Sequence, residues 1–400
     1  MKKYLIFSLT LIFLISGITF AEKGPLPDKI YWDVRMKEEI GIKDTAEGKT
    51  DLFFYGVDAP KVLSLDKNTR RELDIYNIPS SSWALSVNPI PDKAPYTWEV
   101  EGEEHFNPFA IQDIRYALNF LINRQYLVDE LLNGAGGPMY SAITPVAPNT
   151  YKYNLLAARL GFTPDGDEQK ALNNIEKAME KAAELPNNQG RLTKEGKWWT
   201  FDGEPVTIKF VIRADDPSGR LKVGEYVTQQ IEKAGIKVEK LAWERTKAIQ
   251  TWLYSDPADY EWHLYTDGWS AGGTYKFHDQ NLAQMYAPWF GFMPGGSETD
   301  DWNYQHEELN KITKQLYQGK FISEEEYWDL CMKATKLGLE ESCRIYLAYS
   351  NVSFVANDKR FDSRMAYGLG DGLNKWSLVS ADTTNNILNA TQFSAKGSLF

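Results

Sequence analysis

The sequence is poor in cysteine. Among 400 residues only Cys331 and Cys343 occur, so at most one disulfide can form. Cys331 lies in a predicted helix, and Cys343 follows where the chain turns back into a strand. A disulfide between them and a pair of buried free thiols both fit this pattern. Neither cysteine has a nearby histidine that would make it a catalytic nucleophile.

Positive charge is also scarce. Lys and Arg number 44 against 55 Asp and Glu, which gives a formal charge of −11. This balance argues against a nucleic-acid partner, because binding a phosphate backbone requires a basic surface. The histidines at 105, 263, 278 and 306 are scattered and form no pair with metal-ligand spacing. We therefore predict no metal site. No cofactor is predicted either, because the glycine-rich segment Gly368-Leu369-Gly370-Asp371-Gly372 lacks the strand and helix context of a nucleotide-binding loop.

Long apolar runs are absent after the N-terminus. Lys2 and Lys3 precede an apolar segment from Tyr4 to Ile18, and small residues suit cleavage after Ala21. Residues 1–21 are therefore interpreted as a signal peptide. A membrane anchor is the alternative, but the run falls short of the roughly 20 residues that a span needs. We expect an exported, soluble chain in the periplasm or at the outer face of the cytoplasmic membrane.

Helix and strand patterns alternate through the middle of the chain. A strand pattern at Val206–Arg213 is followed by helical patterns at Leu221–Ala234 and Thr246–Tyr254 and a strand at Trp262–Thr266. This order predicts an α/β fold with helical crossovers. From Lys276 to Asn303 the chain is rich in Gly, Pro and aromatic residues, and we interpret it as a long loop.

The segment from Tyr260 to Tyr275 is the candidate functional stretch. Its predicted strand runs into Asp267-Gly268-Trp269 and a glycine-rich loop with several aromatic side chains, which is typical of a ligand site. The letters G-W-S-A-G from Gly268 also match a hydrolase motif, with Ser270 as the nucleophile. That alternative is weak, because the chemistry needs a helix directly after Ser270 and the sequence there has no helical periodicity.

Motifs near residue 110 point to a family. Asn107-Pro108-Phe109, Asp113-Ile114-Arg115, Ala117-Leu118-Asn119 and Ile122-Asn123-Arg124 resemble the signature of the extracellular solute-binding proteins of ABC importers, peptide/nickel-binding class. The segments Leu221–Trp269 and Trp328–Leu347 look similar to later parts of the same family. The resemblance covers about Lys29 to Met365.

This resemblance implies a non-enzymatic, two-lobed binding protein of the periplasmic type II kind that closes on its ligand by hinge bending. Residues 22–104 would form part of lobe I, residues 105–349 a complete lobe II, and residues 350–400 a return to lobe I. Family members carry further residues before the strand at Lys29. We therefore expect either a naturally reduced variant or an incomplete gene product. The implied partners are a solute and the membrane subunits of an ABC permease, with the binding protein a monomer.

The resemblance also bears on the ligand. Members that bind free peptides commonly carry an acid three residues after the tryptophan that matches Trp269, and this sequence has Gly272 there. Oligopeptide and oligosaccharide therefore remain equal alternatives. Asp267 is a displaced anchor candidate, although an acid at a strand end is more often solvated. The candidate ligand-binding residues are Trp269, Trp83, Asp267, Tyr275 and Trp289, whereas Trp252 is expected in the core.

Overall fold

The computed structural model describes residues 25–217, 219–270, 277–293, 304–363 and 375–393. The chain divides into two compact units. Unit 1 comprises Met1–Ile78 and Val352–Phe400, and unit 2 comprises Pro79–Asn351. The chain passes between the units within two long strands. The predicted signal peptide, residues 1–21, lies outside the described residues.

The described helices and turns follow in chain order. The α-helices are α1 (Glu38–Ala46), α2 (Ala59–Leu63), α3 (Lys67–Arg71), α4 (Gln112–Leu121), α5 (Arg124–Tyr126), α6 (Thr150–Arg159), α7 (Glu168–Ala183), α8 (Arg220–Lys233), α9 (Arg245–Tyr254), α10 (Asp279–Tyr286), α11 (Glu307–Tyr317), α12 (Glu324–Glu341) and α13 (Lys375–Val379). A π-helical segment covers Leu127–Leu131, and 3-10 turns cover Pro108–Ala110, Pro257–Asp259 and Pro288–Phe290.

The described strands are β1 (Lys29–Arg35), β2 (Leu52–Asp58), β3 (Leu73–Val87), β4 (Thr97–Val100), β5 (Glu103–Phe106), β6 (Gly136–Pro138), β7 (Leu192–Glu195), β8 (Trp198–Phe201), β9 (Glu204–Pro205), β10 (Thr207–Arg213), β11 (Lys237–Trp243), β12 (Leu264–Ser270), β13 (Arg344–Asn357), β14 (Phe361–Asp362), β15 (Asp382–Thr383) and β16 (Ile387–Phe393).

In unit 1 the returning C-terminal segment completes the sheet. Strand β16 pairs in parallel with β1 and with β2, and β2 pairs antiparallel with the end of β13. The Asp51 carboxylate, which is 1% exposed, connects the segment before β2 to the segments around Arg360 and Asn389. It accepts hydrogen bonds from the Asn389 amide N–H at 2.7 Å and from Arg360 Nε at 2.6 Å. A buried acid with charged and neutral donors thus joins segments far apart in sequence.

In unit 2 the sheet combines parallel and antiparallel strands. Strand β10 lies between β11 and β12 and is parallel to both, and β12 pairs antiparallel with β3 from Leu264↔Val87 to Ser270↔Ser81. The alternating Ile208, Phe210 and Ile212 are all buried. Helix α8 approaches β10 closely at Gly224, where a Cβ atom would lie 2.6 Å from the Ile212 side chain. Because β10, β11 and β12 are parallel, their carboxyl ends lie at one edge of the sheet.

Three predictions of secondary structure were wrong. Strand β12 continues to Ser270, because Asp267 to Ser270 pair with β3 instead of leaving the sheet. Helix α10 lies inside the predicted long loop, and it forms because Leu282, Ala283, Met285 and Tyr286 bury one face. The alternation of Ile345, Leu347 and Tyr349 predicts one strand and Val352 to Val355 a second, but the structure has one continuous strand, β13.

Both cysteines are free and buried, which decides between the two alternatives. Burial raises the pKa of the Cys331 thiol to about 12 and that of the Cys343 thiol to about 11. The two residues belong to different apolar clusters. None of the described helices is long and apolar enough to cross a bilayer.

We expect both thiols to resist modification in the folded chain. At pH 8 a raised pKa leaves almost no thiolate, and burial excludes the reagent. Ellman's reagent should detect essentially no thiol in the native protein and two per chain in guanidinium chloride without reductant. An absence of thiols under denaturing, non-reducing conditions would show a disulfide and contradict the structure.

Candidate functional site

The candidate site is the edge of the unit 2 sheet where β10, β11 and β12 end. These strands finish at Arg213, Trp243 and Ser270. In open α/β sheets, ligands bind beyond the carboxyl ends of the parallel strands, where the loops carry the functional side chains. We call this region the carboxyl edge and define it by these three strand ends together with Asp267 and Trp269.

A buried ion pair organises the carboxyl edge. Asp267 is 3% exposed and Arg344 is 1% exposed, and the Arg344 guanidinium donates directly to Asp267 Oδ2. Arg344 Nη2 also donates to the Phe292 carbonyl oxygen at 2.8 Å. Burial lowers the pKa of Arg344 from its usual value. The expectation that Asp267 is solvated was therefore wrong, because Arg344, the first residue of β13, forms a buried ion pair with it.

The same carboxylate fixes Trp269. The Trp269 indole Nε1–H donates to Asp267 Oδ2 at 2.7 Å, and the Gly268 amide donates to Oδ1 at 2.8 Å. The Trp269 ring meets Phe292 edge to face at 5.6 Å, and the Arg344 guanidinium carbon lies 5.7 Å from its centroid. Trp269 is only partly buried. It is a preoriented indole that keeps some surface for another molecule.

The end of β10 carries a second charge pair. Both Nε and Nη2 of Arg213 donate to the Asp215 carboxylate at 2.6 Å, and Nη1 lies 3.3 Å from the Tyr265 hydroxyl. This bidentate contact lowers the pKa of Asp215 and raises that of Arg213. The charges of Arg213, Asp215, Asp267 and Arg344 are thus balanced in pairs. These residues offer a ligand little uncompensated charge.

The remaining predicted residues have different surroundings. Trp83 is 6% exposed and packs in the main core, opposite Gly268. Trp289 is partly buried, and its Nε1–H donates to Thr313 Oγ1 at 2.8 Å on helix α11. Trp252 is buried, as expected, and stacks on Tyr265 at 4.8 Å. Tyr275 and Gly272 lie outside the described residues.

The hydrolase motif does not gain support from its surroundings. Ser270 is exposed, and its backbone belongs to the β12–β3 ladder, opposite Ser81, whereas a nucleophile elbow needs a sharp turn. The nearest downstream histidine in the sequence, His278, is buried and contacts the Tyr153 hydroxyl through Nδ1 at 2.8 Å. The segment directly after Ser270, residues 271–276, lies outside the described residues.

Sequence reasoning missed Arg344, Arg213 and Phe292. Arg213 ends a strand that the sequence predicted, so the rule for parallel sheet edges would have found it. An arginine that opens a strongly apolar strand, as Arg344 does, signals a buried partner, but the sequence does not say which acid it meets. No group of three metal-ligating side chains occurs among the described residues. Two cavities, of about 360 and 550 Å³, are lined by other residues.

Comparison with known proteins gives the family. A model of the bacterial extracellular solute-binding proteins, family 5 (middle region), matches residues 37–289, more than half of the chain. The chain therefore belongs to the family 5 extracellular solute-binding proteins. This result confirms the resemblance inferred from the motifs near residue 110. No curated protein matches the sequence.

Solved structures show the same fold at low identity. The oligopeptide-binding protein AppA from Bacillus subtilis, in complex with a nonapeptide, matches with a TM-score of 0.54 and 15% identity over 88% of this chain and 59% of that chain. NikZ from Campylobacter jejuni, in complex with Ni(L-His), gives 0.56 and 15% over 87% and 60%. The mannohexaose-bound periplasmic oligopeptide-binding protein from Thermotoga maritima gives 0.57 and 14% over 88% and 61%.

These matches confirm the predicted α/β fold of the two-lobed solute-binding proteins. The chain spans about three fifths of the length of these three structures, 59 to 61%. The division into lobes at residues 104/105 and 349/350 stays a prediction.

We expect the Arg344→Met variant to lose about 3–5 kcal/mol of unfolding free energy, because it leaves the Asp267 carboxylate buried and unpaired. The double variant Asp267→Asn, Arg344→Met should recover part of this loss, since it removes both charges. Urea denaturation followed by circular dichroism measures both effects.

The matched control is the exposed pair Lys233–Glu168, with side chains 44% and 50% exposed. Lys233→Met should cost no more than about 1 kcal/mol. An equally small loss in Arg344→Met would contradict the buried pair.

Proposed function

We propose that this protein is the solute-binding component of an ABC importer, which captures an oligopeptide or an oligosaccharide and delivers it to a membrane permease. The single observation that carries the proposal is the partly exposed, preoriented Trp269 at the carboxyl edge of a family 5 fold. In this proposal residues 1–21 direct export, the mature chain acts as a monomer outside the cytoplasmic membrane, and no bond of the ligand is broken.

Charge balance supports a ligand held by stacking and hydrogen bonds. Asp267 is neutralised by Arg344, and Arg213 is neutralised by Asp215. A charged ligand group would have to compete with these pairs. Flat apolar faces of a sugar ring or a peptide group can instead lie on the indole. The family positions and the structures with a nonapeptide or mannohexaose make these two ligand classes the ones to test.

A thermal-shift screen tests the proposal directly. The full chain is heated with mannohexaose, with nonapeptides of mixed sequence, and with glucose as a monosaccharide control. A ligand at 100 times its Kd stabilises the native state by about 2.7 kcal/mol, so one class should raise Tm in a saturable way. No saturable rise with either class would overturn the proposal for this chain.

We expect Trp269→Ala to weaken binding of the ligand found in that screen by about 2 kcal/mol, which raises Kd roughly thirtyfold. This loss is typical of a central aromatic contact. Trp269→Phe should lose less, because it keeps a flat ring. Isothermal titration calorimetry gives the Kd values.

The control variant is Trp98→Ala, since Trp98 is 37% exposed on the β4–β5 hairpin and is not one of the proposed site residues. It should bind with unchanged Kd. Equal losses in Trp98→Ala and Trp269→Ala would remove the assignment of Trp269.

A further inference from the structure

Unit 2 contains a cavity of about 550 Å³ that the proposed function does not use. It is lined by residues of the β4–β5 hairpin, of the β7–β8–β9 sheet and of the first halves of β10 and β11. His263, which directly precedes β12, also lines it. Because β10, β11 and β12 are parallel, this cavity lies at their amino ends, opposite the carboxyl edge. We call it the amino-end cavity.

One buried histidine presents a donor to the amino-end cavity. His263 is 5% exposed, and burial lowers its pKa to about 3, so the ring is neutral at physiological pH. Its Nδ1 accepts a hydrogen bond from the Lys209 amide N–H at 3.1 Å. The ring proton therefore resides on Nε2.

The Nε2–H group has no hydrogen-bond acceptor among the described residues. Several polar side-chain atoms among the described residues have no hydrogen-bond partner and no contact with solvent, including Trp199 Nε1 and Trp262 Nε1. His263 Nε2 is not one of these solvent-inaccessible atoms. The His263 donor thus stays accessible from the cavity that the ring lines. An acceptor atom of a ligand in the cavity would pair with this donor.

The cavity carries excess negative charge. Of its acidic side chains, Glu104 and Asp202 form ion pairs with Arg191 at 2.7 and 2.5 Å. Four others have no ion-pair partner among the described residues: Glu103, Glu204, Glu239 and Asp259. The basic side chains that line the cavity are Lys209, His105 and His263, and His263 is neutral. This imbalance favours a cation over an anion or a neutral molecule.

Aromatic rings supply the apolar walls. Phe106 and Phe201 stack at 5.8 Å on one side. The Tyr260 ring lies 5.0 Å from His263 and 6.4 Å from His105, and its hydroxyl is already engaged with the Ile90 carbonyl at 2.8 Å. The walls therefore suit the methylene chain of a small organic molecule. The polar groups without a side-chain partner among the described residues include the four carboxylates, the Lys209 ammonium and the His263 donor, so acids outnumber the lysine.

We propose that the amino-end cavity binds a small organic cation, with its ammonium group among the unpaired carboxylates and a carbonyl or hydroxyl oxygen accepting from His263 Nε2–H. The site is separate from the carboxyl edge. It stands whether or not the chain transports a peptide or a sugar.

Calorimetry with three related probes tests this proposal. Lysinamide carries ammonium groups and a carbonyl, cadaverine carries ammonium groups alone, and hexanamide carries a carbonyl alone. With the full chain at low salt we expect lysinamide to bind most tightly, cadaverine at least threefold more weakly, and hexanamide not at all in the same range. Raising NaCl to 0.5 M should weaken lysinamide binding severalfold.

Variants test whether lysinamide binds in the amino-end cavity. The double variant Glu239→Gln, Asp259→Asn should weaken lysinamide at least tenfold, whereas Glu180→Gln, an exposed acid on α7, should leave it unchanged. His263→Asn keeps an acceptor for the Lys209 amide but removes the Nε2–H donor, so it should abolish the preference for lysinamide over cadaverine.

A second readout does not depend on the His263 variant folding. In the unaltered protein, the imidazole nitrogen resonances of His263 should shift when lysinamide is added. Absence of binding at millimolar lysinamide, binding unaffected by the double carboxylate variant, or unchanged His263 resonances at saturation would each overturn the proposal.

Discussion

The buried pair of Asp267 and Arg344 is the interaction on which the candidate site depends. One carboxylate receives the Arg344 guanidinium, the Trp269 indole and the Gly268 amide. Because a buried charge without a partner costs several kcal/mol, these groups have little freedom to rearrange. The pair thereby links the end of β12 to the start of β13 and sets the orientation of Trp269. The proposed contact between Trp269 and the solute depends on this orientation.

The polar residues of the family signature have a structural role in unit 2. The Arg115 guanidinium donates to the Glu341 carbonyl oxygen at 2.8 Å, and Arg124 Nε donates to the Tyr346 carbonyl oxygen at 2.8 Å. The Asn107 amide nitrogen donates to the carbonyls of Asn88 and Ile90. These side chains tie α4 and its neighbours to distant backbone. These residues of the signature therefore stabilise the fold of unit 2.

Much of the fold was predictable from local patterns, and the site was predictable only in part. Ile208, Phe210 and Ile212 alternate and are buried as a strand pattern requires. Trp269 stood out as the aromatic end of a strand. The partner of Asp267 could not be predicted, since Arg344 is 77 residues away and the two residues meet only in the tertiary structure. The amino-end cavity could not be predicted for the same reason, because its residues come from separate hairpins and strands.

The central claim, that Trp269 contacts the solute, is tested most directly by nuclear magnetic resonance of the tryptophan indole groups. With 15N-labelled tryptophan, the Trp269 Nε1–H resonance is assigned by comparison with Trp269→Phe. Addition of the ligand that stabilises the chain should shift this resonance in a saturable way and leave the Trp98 resonance in place. A stabilising ligand that shifts other indoles but not that of Trp269 would contradict the account.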